Sequence, residues 1–240
     1  MRIDKYIQDK FNLKSRTYAE NLIKTGSVLL RGKVVTKSSL DVGENDDIEI
    51  VNDENYASQG AYKLEKAFDD FSLDVNGKNC ADIGCSNGGF TDCLLRHGAK
   101  HVLAVDVADC ALDSKLLESG KVDFLKANAR ELPKNLEKVD FLCSDVSFIS
   151  LKYVLQSMFD LLKNGGEAVV LVKPQFELDK SALTKSGIVT DEKLRKRAVE
   201  SVKSYAISVG FEILDLSISP IRYENKNVEY LLYLKKPFCC

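Results

Sequence analysis

The sequence has no apolar run of the about 18 to 20 residues that a bilayer span requires, which excludes an integral membrane helix. Its opening, Met1-Arg2-Ile3-Asp4-Lys5, meets charge again at Asp9 and Lys10, so no secretory apolar stretch is found and the cytoplasm is expected. Cys-x-x-Cys is missing and the cysteines number seven, which argues against a disulfide scaffold or a paired-thiol redox site. Histidine is scarce. With only His97 and His101, and no cysteine pair nearby at ligand spacing, no metal site is expected. Cys80, Cys85, Cys93, Cys110 and Cys143 lie in or beside apolar segments, where a free thiol packs as a small hydrophobe. Cys239 and Cys240 follow no such pattern. Only 4 prolines and 14 glycines punctuate 240 residues that are 45% hydrophobic and 29% charged, which excludes collagen-like and broadly disordered chains. There is no internal repeat. Such a length holds one full α/β domain and a small appendage.

Charge is unevenly spread. The net charge is -2, yet residues 1–40 carry nine bases against three acids and the remainder is strongly acidic. A basic head on an acidic body suits a polyanion gripped by the head, although an ordinary solvated face has the same composition. Ile3, Tyr6, Ile7 and Phe11 share one helical face, and Tyr18, Ala19, Leu22 and Ile23 share another. Ser15 is placed as N-cap and Gly26 as the C-terminal stop of the second helix. Val28-Leu29-Leu30 and Val34-Val35 flank a turn at Arg31-Gly32-Lys33, and Asp47 to Val51 supplies a closing strand. With Arg2-Ile3-Asp4, Ser15-Arg16, Gly32-Lys33 and Lys37 at matching spacing, this segment resembles the small RNA-binding module named after ribosomal protein S-four. The resemblance implies that Arg2, Arg16, Lys24, Arg31, Lys33 and Lys37 face RNA.

The expected division is a small α+β domain over 1–52, a polar linker over 53–57 and a large domain over 58–240. Leu64, Ala67, Phe68 and Phe71 mark an amphipathic helix that also carries Lys63. Beyond it, strands are expected near 79–83, 101–106, 122–126, 139–144 and 166–172, with helices near 89–97, 111–118, 150–163 and 191–209. Two last strands, near 211–219 and 227–235, are joined by a short connection, so the final one is expected to run antiparallel. Alternation of this kind predicts an α/β fold, a mostly parallel seven-stranded sheet covered by helices on both faces.

The first strand of the sheet runs into Asp82-Ile83-Gly84-Cys85-Ser86-Asn87-Gly88-Gly89-Phe90-Thr91. Glycines there let the backbone turn sharply and approach a ligand at a helix N-terminus. The dinucleotide fingerprint would need glycine where Ser86 stands, so a smaller nucleoside ligand fits better than a dinucleotide. Asp106 ends the second strand, where ribose hydroxyls of a bound nucleoside find an acceptor, though such an Asp is also ordinary turn chemistry. In combination these features resemble S-adenosylmethionine-dependent methyltransferases of Rossmann-like fold. The resemblance implies cofactor contacts from Asp82, Gly84, Ser86, Gly88, Gly89, Phe90 and Asp106. Asn128 and Ala129 follow the third strand and are candidates to touch the adenine.

Asp145 and Lys173 end two further apolar strands and so fall on the same sheet edge as Asp82 and Asp106. Alone, Lys173 would read as a snorkelling surface lysine. Ser58 to Leu64, Gly89-Phe90-Thr91-Asp92, Ser144 to Phe148, Val172 to Glu177, Gly187-Ile188-Val189 and Asn227 to Tyr230 occur in order. With the N-terminal module they resemble the TlyA family of ribosomal RNA 2′-O-methyltransferases, also called haemolysins, whose catalytic domain is of the FtsJ/RrmJ type. Gln59, Ala61, Cys85 and Asn87 depart from residues usual in that family.

The family's Lys-Asp-Lys-Glu tetrad falls on Lys63, Asp145, Lys173 and Glu229, with S-adenosylmethionine as cofactor, ribosomal RNA or a ribosomal subunit as partner, and no metal. The chain ends soon after its last strand, like the family's shorter form, which implies a cytidine of 23S ribosomal RNA as target. A ribose 2′-hydroxyl is a poor nucleophile, and a neutral lysine can take its proton. Lys173 is the expected base and Lys63 the neighbouring charge, with Asp145 and Glu229 orienting them. Pro174 to Thr190 reads either as a lid or RNA clamp or as a plain surface loop. Two other functions compete with methyl transfer: a membrane-acting cytolysin, and a non-catalytic RNA-binding assembly factor.

Overall fold

The structure, a computed structural model, describes residues 1–13, 15–24, 27–50, 56–58, 60–109, 112–220 and 227–238, without the side chains of Asn21, Lys24, Lys33 and Val34. The expected stop at Gly26, most of the linker, Gln59, Cys110 and the terminal cysteines lie outside these residues.

The chain divides into two compact units, Met1–Asn55 and Tyr56–Cys240. Tyr56 and Ala57, expected as linker, are bound into the large unit. The Tyr56 ring is buried and its hydroxyl donates to Glu65, while the Ala57 N–H donates to Asp92 Oδ2 at 2.9 Å.

The small unit contains helices α1 (Ile3–Lys10) and α2 (Arg16–Lys24) and strands β1 (Val28–Leu30), β2 (Lys33–Val34) and β3 (Ile48–Ile50). Ser15 caps α2, accepting from the Tyr18 N–H at 3.1 Å. Leu30 pairs with Lys33, so Arg31 and Gly32 form a two-residue hairpin loop. Both have positive φ, 51° and 73°, as a turn that follows the strand twist requires. Ile3, Ile7, Ala19, Leu22, Ile23, Val28 and Ile48 form its core. Against that core lies the fully buried Asp4, which accepts from Arg2 Nη2 at 2.7 Å and Arg16 Nη2 at 2.9 Å.

The large unit alternates strand and helix: α3 (Ala61–Phe71), β4 (Asn79–Ile83), α4 (Gly89–Arg96), β5 (His101–Asp106), α5 (Ser114–Glu118), β6 (Val122–Lys126), β7 (Val139–Ser144), α6 (Leu155–Leu161), β8 (Leu162–Val172), α7 (Pro174–Glu177), α8 (Glu192–Val209), β9 (Glu212–Ile218) and β10 (Tyr230–Lys235). Its seven strands lie in the order β6-β5-β4-β7-β8-β10-β9. The first five run parallel, and β10 is antiparallel to both its neighbours. Strand alternation sends Cys80, Phe141, Cys143, Val169 and Leu171 to one face with Leu64, Phe68 and Leu94. Ala81, Ile83, Leu142, Ala168 and Val170 go to the other, with Leu155, Met158, Val199 and Val202.

Two expectations need correction. The helix expected over 150–163 is a single 3-10 turn at Leu151–Tyr153 followed by α6, and Leu162 already adopts extended backbone as β8 begins. The helix expected over 111–118 starts only at Ser114, because Asp113 caps it by accepting from the Lys115 N–H at 3.1 Å. The segment after Pro174 is also ordered, with α7 and a 3-10 turn at Lys180–Ala182.

Burial alone would raise the Asp4 carboxyl, but its hydrogen bonds from Arg2, Arg16 and the Lys5 N–H hold it down at about 2. A depressed carboxylate stabilises the fold above its ordinary range and loses that contribution as pH falls toward 2. Asp4→Ala should therefore destabilise the small unit by about 2 kcal/mol at neutral pH, the scale of lost charged hydrogen bonds. Faster amide exchange in α1 and α2, with no change in β7, is the expected readout.

Candidate active site

Parallel strands place their carboxyl ends on one edge of the sheet, here Ile83, Asp106, Ser144 and Val172. The antiparallel β10 contributes its opposite end. Tyr230 pairs with Val172, so Glu229 and Lys173 are delivered to the same edge. Lys63 comes from the first turn of α3. That helix can start close to α4 because position 89 has no side chain: a Cβ there would stand 2.2 Å from Ser58 Oγ and 3.0 Å from the Ala61 nitrogen.

The four expected residues meet. Lys63 Nζ lies 3.1 Å from Asp145 Oδ2 and 2.8 Å from Glu229 Oε2, and Lys173 Nζ lies 2.7 Å from Asp145 Oδ1. The last contact is an ion pair without the alignment of a hydrogen bond. Lys173 instead donates to Ser147 Oγ at 2.6 Å and is only 6% exposed. Burial would lower the Lys63 amine, but Asp145 and Glu229 outweigh it and the net shift is upward. Burial likewise pushes Asp145 up, and the two lysines overcome it to hold the carboxylate below its usual range.

The glycine loop lies at the end of β4. Gly84, Ser86 and Gly88 have φ of 85°, 48° and 91°, and the Ser86 N–H donates to Asp106 Oδ2 at 3.0 Å. The other oxygen of Asp106 accepts from the Ala108 N–H at 3.0 Å. Asp82 is fully buried; its Oδ2 accepts from Thr91 Oγ1 at 2.7 Å, while Oδ1 has no partner. Burial, with Asp145 and Asp106 adding, raises its carboxyl to about 7. The remaining expected cofactor residues have packing and hydrogen bonds of their own. The Phe90 ring is buried in the core shared with Leu64 and Phe68 of α3. Ala129 packs into the opposite core, and Asn128 Oδ1 is engaged by the Arg130 N–H at 3.0 Å, a local turn.

Residues passed over in the sequence also matter. Ser147 and Thr91 were visible only as polar neighbours of Asp145 and Gly89, with nothing in their spacing to show which group each would bind. Phe148 is 91% exposed at a φ of 63°, with its ring 5.4 Å from that of Phe176. An aromatic in a left-handed position on the surface is unexplained by packing.

In the small unit, Arg2 and Arg16 both reach Asp4 while remaining partly exposed, and Arg16 also lies 3.7 Å from Glu20 Oε1. Arg31 is largely exposed and pairs with Asp46 at 2.6 Å, and Lys37 is exposed. Lys24 lies on α2 and Lys33 on β2.

Fold and site together define the class, a Rossmann-type S-adenosylmethionine-dependent methyltransferase carrying a small second unit. Residues 56–236 match the FtsJ-like methyltransferase family and residues 1–48 the S4 domain. The chain is 39% identical over 237 residues to hemolysin A of Brachyspira hyodysenteriae, covering 97% of this chain and 99% of that protein. It is 36% identical over 239 residues to the 16S/23S rRNA (cytidine-2'-O)-methyltransferase TlyA of Mycobacterium tuberculosis, covering 98% and 89%. A solved structure named as a hemolysin of Streptococcus thermophilus is 33% identical with a TM-score of 0.75, over 99% of this chain and 88% of that one. The chain belongs to the TlyA family of FtsJ-like methyltransferases.

The residues present fit S-adenosylmethionine. Asp82 Oδ1 is a buried acceptor in need of a donor, and each Asp106 oxygen has a second lone pair for a ribose hydroxyl. A cationic ligand group beside Asp82 favours its ionised form, so binding at low pH must first expel a proton. Cofactor affinity is expected to fall as pH drops below about 7, by up to about tenfold per unit. Calorimetric titration across that range should show the dependence, and Asp82→Asn should flatten it.

Proposed function

We propose that this protein transfers a methyl group from S-adenosylmethionine to the 2′-hydroxyl of a cytidine ribose in ribosomal RNA, in the cytoplasm, with the N-terminal unit gripping the RNA. The Lys63–Asp145–Lys173–Glu229 cluster carries the reading, since two amines and two carboxylates converge at one edge. The names of the relatives and the matched S4 domain support the substrate class.

A bound S-adenosylmethionine supplies a methyl group already activated on a sulfonium, so alignment does much of the remaining work. The protein must handle the proton. Lys63, held between two carboxylates, keeps its charge and stabilises negative charge developing on the ribose oxygen. Lys173 shares one carboxylate and a hydroxyl, and in its neutral form its Nζ takes the 2′-proton. Asp145 sets the spacing of both amines, and Glu229 holds Lys63 on its other side. The Phe148 ring, beside Phe176, offers a stacking face for a base turned out of its RNA strand.

Lys173→Ala should lower methyl transfer to ribosomal subunits by about 10²- to 10⁴-fold while leaving cofactor affinity unchanged. Full activity in that variant would end this mechanism. Ribose-methylation maps of both ribosomal RNAs, from cells with and without the protein, should differ at a cytidine. Identical maps would favour a non-catalytic assembly role. Among the described residues no helix is long and apolar enough to cross a membrane, and the assembled tetrad favours the transferase over a cytolysin.

A further inference from the structure

Three metal-ligating side chains converge outside the tetrad. Cys93 lies on α4 and His97 follows one turn later, on the same face, while Glu65 reaches them from α3. Cys93 Sγ is 3.3 Å from Glu65 Oε1, and His97 Nε2 is 3.0 Å from each Glu65 oxygen. The ligand atoms all lie within 4.8 Å of one another. Cys93 is fully buried, whereas the His97 and Glu65 side chains are 34% and 27% exposed. The cluster is thus anchored on one side and reachable from solvent on the other. Phe68 stacks flat on the His97 ring, with centroids 3.6 Å apart, and the Tyr56 hydroxyl donates to Glu65. Both contacts orient the ligands, as outer-shell partners do in metal sites.

We propose that Glu65, Cys93 and His97 form a binding site for a divalent transition-metal ion, zinc being the best match, that clamps α3 to α4. One sulfur, one imidazole nitrogen and one carboxylate oxygen suit zinc, whereas magnesium and calcium call for oxygen alone. Zinc bonds of about 2.0 to 2.3 Å in tetrahedral geometry set neighbouring ligand atoms about 3.2 to 3.7 Å apart. The two pairs that involve Glu65, at 3.0 and 3.3 Å, need only small side-chain shifts to reach that spacing, and Cys93 Sγ and His97 Nε2 lie within 4.8 Å of each other. Solvent supplies the fourth ligand.

Charge balance is favourable: a thiolate and a carboxylate neutralise the cation, and His97 binds as neutral imidazole. Uptake then exchanges an S–H bond for an S–metal bond and releases one proton to solvent. The clamp bears on the reaction, because Glu65 is two residues beyond Lys63 on α3 and α4 begins at the cofactor loop. A search for paired cysteines misses this site, since its third ligand comes from a neighbouring helix.

Cobalt, a spectroscopic substitute for zinc, tests the proposal on the full chain. Titration should give one equivalent bound, with a thiolate charge-transfer band in the near ultraviolet and one proton released. Cys93→Ser should abolish the band. His97→Gln, at a partly exposed position whose folding circular dichroism can verify, should weaken binding beyond the roughly 10- to 100-fold seen on loss of an outer-shell partner. The double variant Cys239→Ser, Cys240→Ser should bind like the parent, and magnesium should not compete. The absence of a band in the parent, an undiminished band in Cys93→Ser, or unchanged affinity in His97→Gln would overturn the proposal and leave the trio as a hydrogen-bonded cluster only.

Discussion

The Asp145 carboxylate, half-buried between the Lys63 and Lys173 amines, is the contact on which the catalytic edge depends. Removal of either amine would leave a carboxylate whose Oδ1 is out of contact with solvent short of a compensating charge. Lys63 and Lys173 are therefore tied to Asp145 as firmly as Asp145 is tied to them. They arrive from α3 and from the end of β8, and Glu229 completes the set from the start of β10. Reversing the last strand is what makes this possible, since a parallel strand would present its other end at the edge.

Cofactor loop and tetrad share structural parts. Gly89 opens α4 and at the same time allows α3 to begin against it, so the turn that leads out of the loop also positions Lys63. Asp106 accepts the Ser86 N–H and thereby holds the loop to the neighbouring strand end. Asp82 stays buried with one oxygen unpartnered, a costly arrangement for a residue of the fold alone and a reasonable one for a group that awaits a ligand's donor.

The small unit handles charge differently. Arg2 and Arg16, which the S4 resemblance turns toward RNA, spend part of their donors on the buried Asp4. Each guanidinium has more donors than Asp4 can accept, so holding the fold and meeting a phosphate are compatible roles. Arg31 and Lys37 are more fully exposed.

Much of this architecture was legible in one dimension. Apolar runs of two to five residues leading into Asp82, Asp106, Ser144-Asp145 and Lys173 set the strands, because both faces of a parallel sheet are buried and favour hydrophobic residues. The same runs brought Asp145 and Lys173 to one edge, while Lys63 and Glu229 were supplied by resemblance. What periodicity could not show was which polar atom meets which. Ser147 on Lys173, Thr91 on Asp82, Phe90 turned into the core, Tyr56 drawn out of a supposed linker, and Glu65 with Cys93 and His97 all arise from contacts between different elements or loops of the fold. Local pattern determines which residues become strands and helices. Only the packing of those elements decides the distances between side chains, and chemistry depends on the distances.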